Sequence, residues 1–454
     1  MKKFLVLFAI IGLTANVRCQ QTFQFPERVK PLIATRWGQQ FPFNALAPVL
    51  ENGVRPPAGC GSVGMAQIIH YHHYPSYSPD HQYEYEWRYM YYNVSEELRL
   101  EQIVAVAKLI SDCGISAFTQ YGEDGSSSSM PDIMNGLKRL FDYSDYMGIY
   151  ARDLFETPER DSLFQMMIFK ELKAGRPVLY CGEKRDGTDG HIFIIDGCKG
   201  DRVHVNMGWG GRQDGYYKLN DLYGYTHRQW MLIGIADSTF VPEVHQVHLD
   251  APGTLAEILS PKEQAEIQHI AVSGPMNEED FLTLAQMSRM GVLSSVNLRE
   301  AVAEEIPSLS FTNCHQLTFV LLPTQCRKVG MAAFNECVHL NNVIFPDSLR
   351  SIEQGAFHGC RSLISPKLPS SLESIGTRAF YGCEGVFHFI IPEGVKKIEA
   401  DAFAHCGNLL SVYLPASLRQ CSAQVVNNCP KLKRFIISPD NSFFRVENRE
   451  VKAK

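Results

Sequence analysis

Pro57-Ala58-Gly59-Cys60-Gly61-Ser62-Val63-Gly64-Met65-Ala66-Gln67 sets a cysteine between two glycines at the head of an apolar, helix-like pattern. Alone, such a cysteine reads as a small buried hydrophobe. Two later segments change that reading: Gly190-His191-Ile192-Phe193-Ile194-Ile195-Asp196-Gly197 and Asn206-Met207-Gly208-Trp209-Gly210-Gly211. His191 and Asn206 follow Cys60 by roughly 130 and 145 residues, a spacing that suits a cysteine nucleophile, a histidine base and an orienting asparagine. The residue types follow from the chemistry. A thiol is mostly protonated at neutral pH, and the N–H groups at a helix start favour the thiolate. A nearby His191 takes the proton and later returns it to a leaving amine. Gly59 and Gly61 let a peptide approach the backbone, where the Cys60 N–H can help hold an oxyanion. Asn206 is expected to accept the second ring N–H and fix the tautomer. Trp209 reads equally as a shield over that contact or as plain core.

Around this motif the chain reads as an α+β domain, helices first and an antiparallel sheet afterwards. Helical periodicity covers Cys60 to His72, Glu97 to Cys113 and Ser162 to Leu172. Strand signals follow at Pro177 to Cys181, His191 to Ile195, Arg202 to Val205, Tyr216 to Leu219 and Gln229 to Ile235, with Gly- and Asp-rich joints. Residues 122–129, Gly-Glu-Asp-Gly-Ser-Ser-Ser-Ser, form a low-complexity loop, either simply flexible or a mobile wall of a substrate groove. His70, His72 and His73 invite a metal reading, but no further ligand follows at suitable spacing. A solvated helix end is expected there. No metal or cofactor site is expected anywhere in the chain.

From about residue 311 a repeat takes over. Phe311, Phe334, Phe357, Phe380 and Phe403 recur every 23 residues, and Cys314, Cys337, Cys360, Cys383, Cys406 and Cys429 keep the same period. That period falls in the leucine-rich-repeat range, where each unit stacks on the next and none is stable alone. The cysteines then form one buried, reduced column, because stacked side chains point the same way and cannot bridge. Residues 251–310 read as a cap feeding the first repeat, residues 238–250 as a linker, and Phe443-Phe444-Arg445-Val446 as a closure of the far end. The expected organisation is thus a signal peptide (1–20), an α+β domain (21–237), the linker, the cap and the repeats (311–454).

The first residues carry Lys2-Lys3, an apolar stretch from Phe4 to Leu13, and then Val17-Arg18-Cys19-Gln20, the pattern of an export signal. Asn16 and Arg18 fit a lipobox poorly, so plain export is expected over lipid attachment at Cys19. A formal net charge of −6 leaves no basic footprint, which argues against nucleic acid as a partner. Beyond the signal no apolar run approaches the roughly 20 residues of a membrane span.

Several segments together resemble one family. They are Pro31-Leu32-Ile33-Ala34-Thr35-Arg36-Trp37-Gly38-Gln39, Phe41-Pro42-Phe43-Asn44, the stretch around Cys60 with Tyr71-His72-His73-Tyr74-Pro75, and the segments around His191 and Asn206. Their order resembles the streptopain family, papain-fold cysteine endopeptidases of bacteria. The resemblance implies Cys60 as nucleophile and His191 as its base. It implies Asn206 and Trp209 as the family's asparagine–tryptophan segment, and Gln39 as an oxyanion donor. Met207 departs from the family's usual Asn-Trp-Gly-Trp-Gly-Gly. Family members are also commonly made with an inhibitory propeptide, and little sequence separates the expected signal from the first motif. The repeats resemble BspA-like leucine-rich repeats of bacterial surface proteins, with Ala356-Phe357 and Gly359-Cys360 as punctuation.

The resulting expectation is an exported or surface-bound bacterial cysteine endopeptidase that acts on protein or peptide, with a separable repeat array for partner or surface binding. The alternative is a weakly active or inactive peptidase fold used for adhesion. Intact Cys60 and His191 favour the first, and Met207 is a hint of the second.

Overall fold

The computed structural model describes residues 23–454 apart from 94–97, 156, 188, 365 and 448–449, with backbone alone for 153, 154 and 159. The expected signal peptide and its Cys19 lie outside the described residues.

Among the described residues, four α-helices and one sheet build the first half. The helices are α1 (Cys60–His72), α2 (Leu100–Ser116), α3 (Met130–Leu140) and α4 (Pro158–Lys173). The strands are β1 (Gly148–Ala151), β2 (Val178–Lys184), β3 (Gly190–Lys199), β4 (Arg202–Asn206), β5 (Gly215–Lys218) and β6 (Tyr225–Ile233). They form an antiparallel sheet in the order β1-β6-β2-β3-β4-β5. The unbroken apolar run of β3 has a simple cause: both faces of the strand are covered. Ile192 and Ile194 pack with α1, α2 and α3, whereas Phe193 and Ile195 pack with α4. α1 is the central helix, buried from Gly61 to His70, so its sequence is apolar or small all round rather than amphipathic.

Two elements escape the sequence reading. α3 contains Asn135 and Gly136, which disguise it, although Ser129 caps it by accepting the Asp132 N–H at 3.2 Å. Gly136 is required because α3 crosses the end of α2 so closely that a Cβ would lie 2.8 Å from the Ser116 carbonyl oxygen. β1 completes the sheet beside β6 and is buried throughout. Two of the three histidines at the end of α1 also depart from expectation, since His70 and His72 are packed, whereas His73 is exposed as expected. His70 is 4% exposed with its ring 5.1 Å from Trp37, and His72 Nδ1 lies 3.1 Å from the Tyr143 hydroxyl. Burial lowers the pKa of each to about 4.

The second half is a stacked series of turns. Short parallel strands pair in steps of one repeat: Glu305–Ile306 with Lys328–Val329, then Ser351–Ile352, Ser374–Ile375, Lys397–Ile398 and Gln420–Cys421. The second residue of these pairs faces the core and the first faces outward, as strand alternation requires. A second ladder joins Ser295–Asn297, Phe319–Leu321 and Asn342–Ile344, and resumes at His388–Ile390. The turn between them carries Pro366, which has no N–H to give a ladder.

Inside, Phe311, Phe334, Phe357 and Phe380 stack with ring centroids 5.2–5.3 Å apart and planes within 8°. Each cysteine of the column satisfies the phenylalanine of the turn below. Cys337 Sγ donates to the Phe311 carbonyl (2.9 Å), Cys360 to Phe334 (3.1 Å), Cys383 to Phe357 (3.2 Å) and Cys406 to Phe380 (3.3 Å). No disulfide occurs among the described residues. At the start of the column, helix α5 (Glu278–Met290) covers the first turn. Phe281 meets Phe311 edge-on and Cys314 Sγ donates to the Ala285 carbonyl at 3.6 Å. At the other end a hairpin of Phe444–Glu447 and Glu450–Ala453 closes the stack.

The segment expected to be a linker, 238–250, is in part solenoid. His245–His248 pairs with His269–Pro275, and Val247 and Leu249 are buried in the repeat core. Alternation over so few residues is too short a signal to read in advance. The array is also less separate than expected. Val292 sits in the α4-side core of the first half, and the Tyr150 hydroxyl donates to its carbonyl at 3.2 Å. Lys138 Nζ reaches Asn341 Oδ1 at 2.8 Å, and Phe118 stacks on Phe387 at 5.1 Å.

Cys360→Ala would take one of two hydrogen bonds from the Phe334 carbonyl, which keeps the Cys337 N–H at 3.2 Å, and would open a small void, so it should lower the unfolding free energy by about 1–3 kcal/mol in urea titration. Cys360→Ser keeps a donor and should lose less. Equal losses would mean that the void alone matters and the S–H bond contributes nothing.

Candidate active site

Cys60 is the first residue of α1, preceded by Gly59 at φ 93°. A left-handed residue is needed there because the chain must turn sharply into the helix, and a Cβ would press on Ser126 O at 3.2 Å. Cys60 and His191 line the same cleft, of about 330 Å³. The Ser-rich loop forms one wall through Ser127, Ser128 and Ser129. It is pinned rather than loose: Ser126 Oγ donates to the Pro57 carbonyl at 2.7 Å, and Ser128, Thr119 and Ser62 are linked through their hydroxyls.

His191 sits near the start of β3, opposite Gly182 of β2, and is 6% exposed. Its Nε2 lies 2.7 Å from the Met207 carbonyl oxygen. A carbonyl can only accept, so the proton is assigned to Nε2 and Nδ1 keeps the basic lone pair. Trp209 stacks on the ring at 4.6 Å and 28°. Burial lowers the His191 pKa to about 4, opposed in part by the Met207 carbonyl and Asp189. Burial likewise raises the Cys60 thiol, opposed by the backbone groups of Ile192 and Gly61. Each group is therefore held neutral when taken alone.

Asn206 does not meet the ring. Its amide nitrogen donates to the Thr35 carbonyl at 2.8 Å, and its Oδ1 accepts the Gly208 N–H at 3.0 Å. It also exchanges hydrogen bonds with Gln67 at 3.2–3.3 Å. Gln67 is fully buried on α1 and accepts from Thr35 Oγ1 at 2.9 Å and the Trp37 N–H at 3.2 Å. Asp214 Oδ1 completes the arrangement by accepting the Met207 N–H at 2.8 Å. The ring partner expected from a side chain is thus supplied by backbone, and Asn206 holds the turn that presents it. Met207, which departs from the usual tryptophan, is itself fully buried in the core.

Gln39 is tied to the segment leading into Cys60, since its carbonyl accepts the Ala58 N–H at 2.8 Å. Its side chain is not among those lining the cleft, and neither are Asn206 and Trp209. Sequence reasoning did not single out Gln67, Asp214 or Cys181. A glutamine inside an otherwise apolar helix was the available signal for Gln67. Cys181 of β2 lines the cleft with its thiol pushed up to about 12 by burial, which leaves it protonated beside Cys60.

The model of the peptidase C10 family matches residues 37–217, a span that holds Cys60, His191, Asn206 and Asp214. Residues 37–217 belong to the peptidase C10 family. The BspA type leucine rich repeat region matches in six copies over residues 304–438. Outside the peptidase C10 domain itself the relatives diverge in length. The thiol protease/hemagglutinin PrtT of Porphyromonas gingivalis is 29% identical over 47% of this chain and 28% of its own. Streptopain of Streptococcus pyogenes is 30% identical over 43% of this chain and 56% of its own. This chain therefore spans less than two thirds of either. The interpain A cysteine protease of Prevotella intermedia is 31% identical, covering 47% of this chain and 96% of that one, with a TM-score of 0.42. The peptidase C10 domain with a repeat region behind it agrees with the α+β domain and leucine-rich-repeat solenoid expected from the sequence.

Because Met207 O and not Asn206 meets the imidazole, Asn206→Ala should act mainly through stability. It should lower the unfolding free energy by about 1–3 kcal/mol, leaving Thr35 and Gly208 unpaired. Peptide hydrolysis by the folded fraction should fall only modestly. A thermally unperturbed Asn206→Ala protein that has lost hydrolysis a thousandfold would assign the side chain a direct role.

Proposed function

We propose that this chain is a bacterial cysteine endopeptidase exported from the cell, with Cys60 as nucleophile and His191 as base, whose repeats engage a protein partner or surface. The observation that carries this reading is a cysteine at a helix N-terminus sharing a cleft with a histidine whose proton is fixed on Nε2. In the proposed reaction the Cys60 thiol passes its proton to His191 Nδ1 as sulfur attacks the peptide carbonyl. The oxyanion forms near the Cys60 N–H, at the positive end of α1, with Gln39 as a second donor. His191 then protonates the leaving amine, and the C–N bond breaks to give a thioester. Water, deprotonated by the same imidazole, attacks the thioester; the proton returns to sulfur and the acid product leaves. Trp209 keeps water from the ring, and Asn206, Gln67 and Asp214 act as positioning residues through the Met207 peptide.

Export of the chain and a surface role for the array are part of the proposal, supported by the sequence of residues 1–20 and by the BspA-type repeats. Among the described residues no helix is long and apolar enough to cross a membrane.

Cys60→Ala and His191→Ala should each lower hydrolysis of an unstructured peptide by at least about a thousandfold without changing the melting temperature, since the two act as a unit. Full activity in Cys60→Ala would remove the nucleophile assignment. The pH profile follows from burial. Falling pH protonates His191 near its lowered value of about 4 and removes the base, whereas the Cys60 thiol is raised above 9.0. kcat/KM should accordingly stay level from about pH 5 to about pH 9, with its acid limb near 4. An acid limb near 6.5 would mean that the ring is solvated in the working enzyme.

A further inference from the structure

The cleft does not end at the catalytic half. Ser129 and Pro131 line both it and a second groove of about 320 Å³ that opens between α3 and the repeats. A ring contact joins the two cavities as well, because Trp230 of the cleft meets His339 of the groove at 5.4 Å. Phe118 and Phe387 stack across the groove from the two halves, giving it an apolar floor.

Two buried polar groups in this groove have no partner. Asn135 of α3 is 7% exposed and its Oδ1 accepts no hydrogen bond; Ser362 of the repeats is 1% exposed and its hydroxyl makes none. An unpaired buried polar atom costs stability, so its presence asks for a ligand that is not part of the fold. One group is an acceptor and the other can donate. An extended peptide presents N–H and C=O groups alternately along its backbone, which matches such a pair facing each other across a groove.

We propose that the groove between the halves is an extension of the substrate site, in which a polypeptide substrate continues past the catalytic cleft and hydrogen-bonds Asn135 and Ser362. The proposal rests on the peptidase reading for the identity of its occupant. It gives the repeats a part in choosing long, unfolded substrates over short ones, and it explains why the array is docked against α3 rather than hanging free.

The test compares a short peptide of about four residues with versions extended by about eight residues at either end, enough to run from cleft to groove. In the full-length wild type, one extension should lower KM about tenfold. In Asn135→Ala/Ser362→Ala that gain should vanish, while kcat/KM for the short peptide, which does not reach the groove, stays the same. The double variant should melt at or above the wild-type temperature, because it removes unpaired polar atoms; this keeps misfolding apart from lost binding. Binding is read separately by fluorescence anisotropy of the labelled long peptides on Cys60→Ala protein, where the same two substitutions should weaken Kd about tenfold. Short-peptide hydrolysis with no gain from either extension would overturn the groove and leave the peptidase standing. Groove-dependent binding without any hydrolysis by wild type would overturn the peptidase and leave the groove standing. Equal effects of the double variant on short and long peptides would overturn the groove.

Discussion

Gln67 has no solvent to turn to, and that constraint organises the catalytic half. Its side-chain amide lies in the middle of a helix buried from Gly61 to His70. Every bond it makes must therefore come from protein, and the partners it recruits are distant in sequence: Thr35, Trp37 and Asn206. Buried polar networks of this kind rigidify when each member is satisfied. Here the rigidity has a direction. Gln67 fixes Asn206, Asn206 fixes the Gly208 N–H, and the turn then aims the Met207 carbonyl at His191. The same helix carries Cys60 at its head. One element thus sets the position of Cys60, the proposed nucleophile, directly and that of His191, the proposed base, through a relay of amides.

This relay also explains what was legible in the sequence and what was not. Cys60 and His191 could be paired in the sequence because the proposed chemistry needs those side chains at a particular order and spacing, and the fold brings both to one cleft. The orienting group could not, since a backbone carbonyl has no residue type. Asn206 sits one position from the group that bonds the ring, so sequence reasoning found the right turn and the wrong atom. α3 was hidden for a related reason. Its Gly136 answers a tertiary demand, the close passage of Ser116, that outweighs helix propensity. The repeats were the opposite case. A solenoid writes the same contact into the chain every turn, so the Phe and Cys columns were visible as a period before any fold was known. The strand at His245–His248 carries no such repetition and was read as linker.

The repeats solve a polar problem as well as an apolar one. Stacked phenylalanines fill the column, but each tight turn leaves a carbonyl pointing inward. A thiol is small enough to sit beside a phenyl ring and still donates weakly, which suits a site with room for neither a water nor a hydroxyl network. The cap copies the arrangement, with the Ala285 carbonyl of α5 in the place that a phenylalanine carbonyl takes higher up. Burial raises the thiols of Cys337, Cys360 and Cys383, so these column cysteines are held protonated and unreactive in the fold.

The docking of the array has a consequence for how such a protein can lengthen over evolutionary time. A solenoid grows by duplication of whole turns, and each inserted turn advances everything above it by one strand spacing, about 4.8 Å. Contacts with the first half are made at His339 and Asn341 in one turn and at Phe387 two turns further on. A duplication below Phe387 would slide at least one of these off its partner. One placed above Asn408 would leave all of them in register. The lower turns are therefore frozen in number by the neighbour they touch, and only the outer end of the array is open to gain or loss.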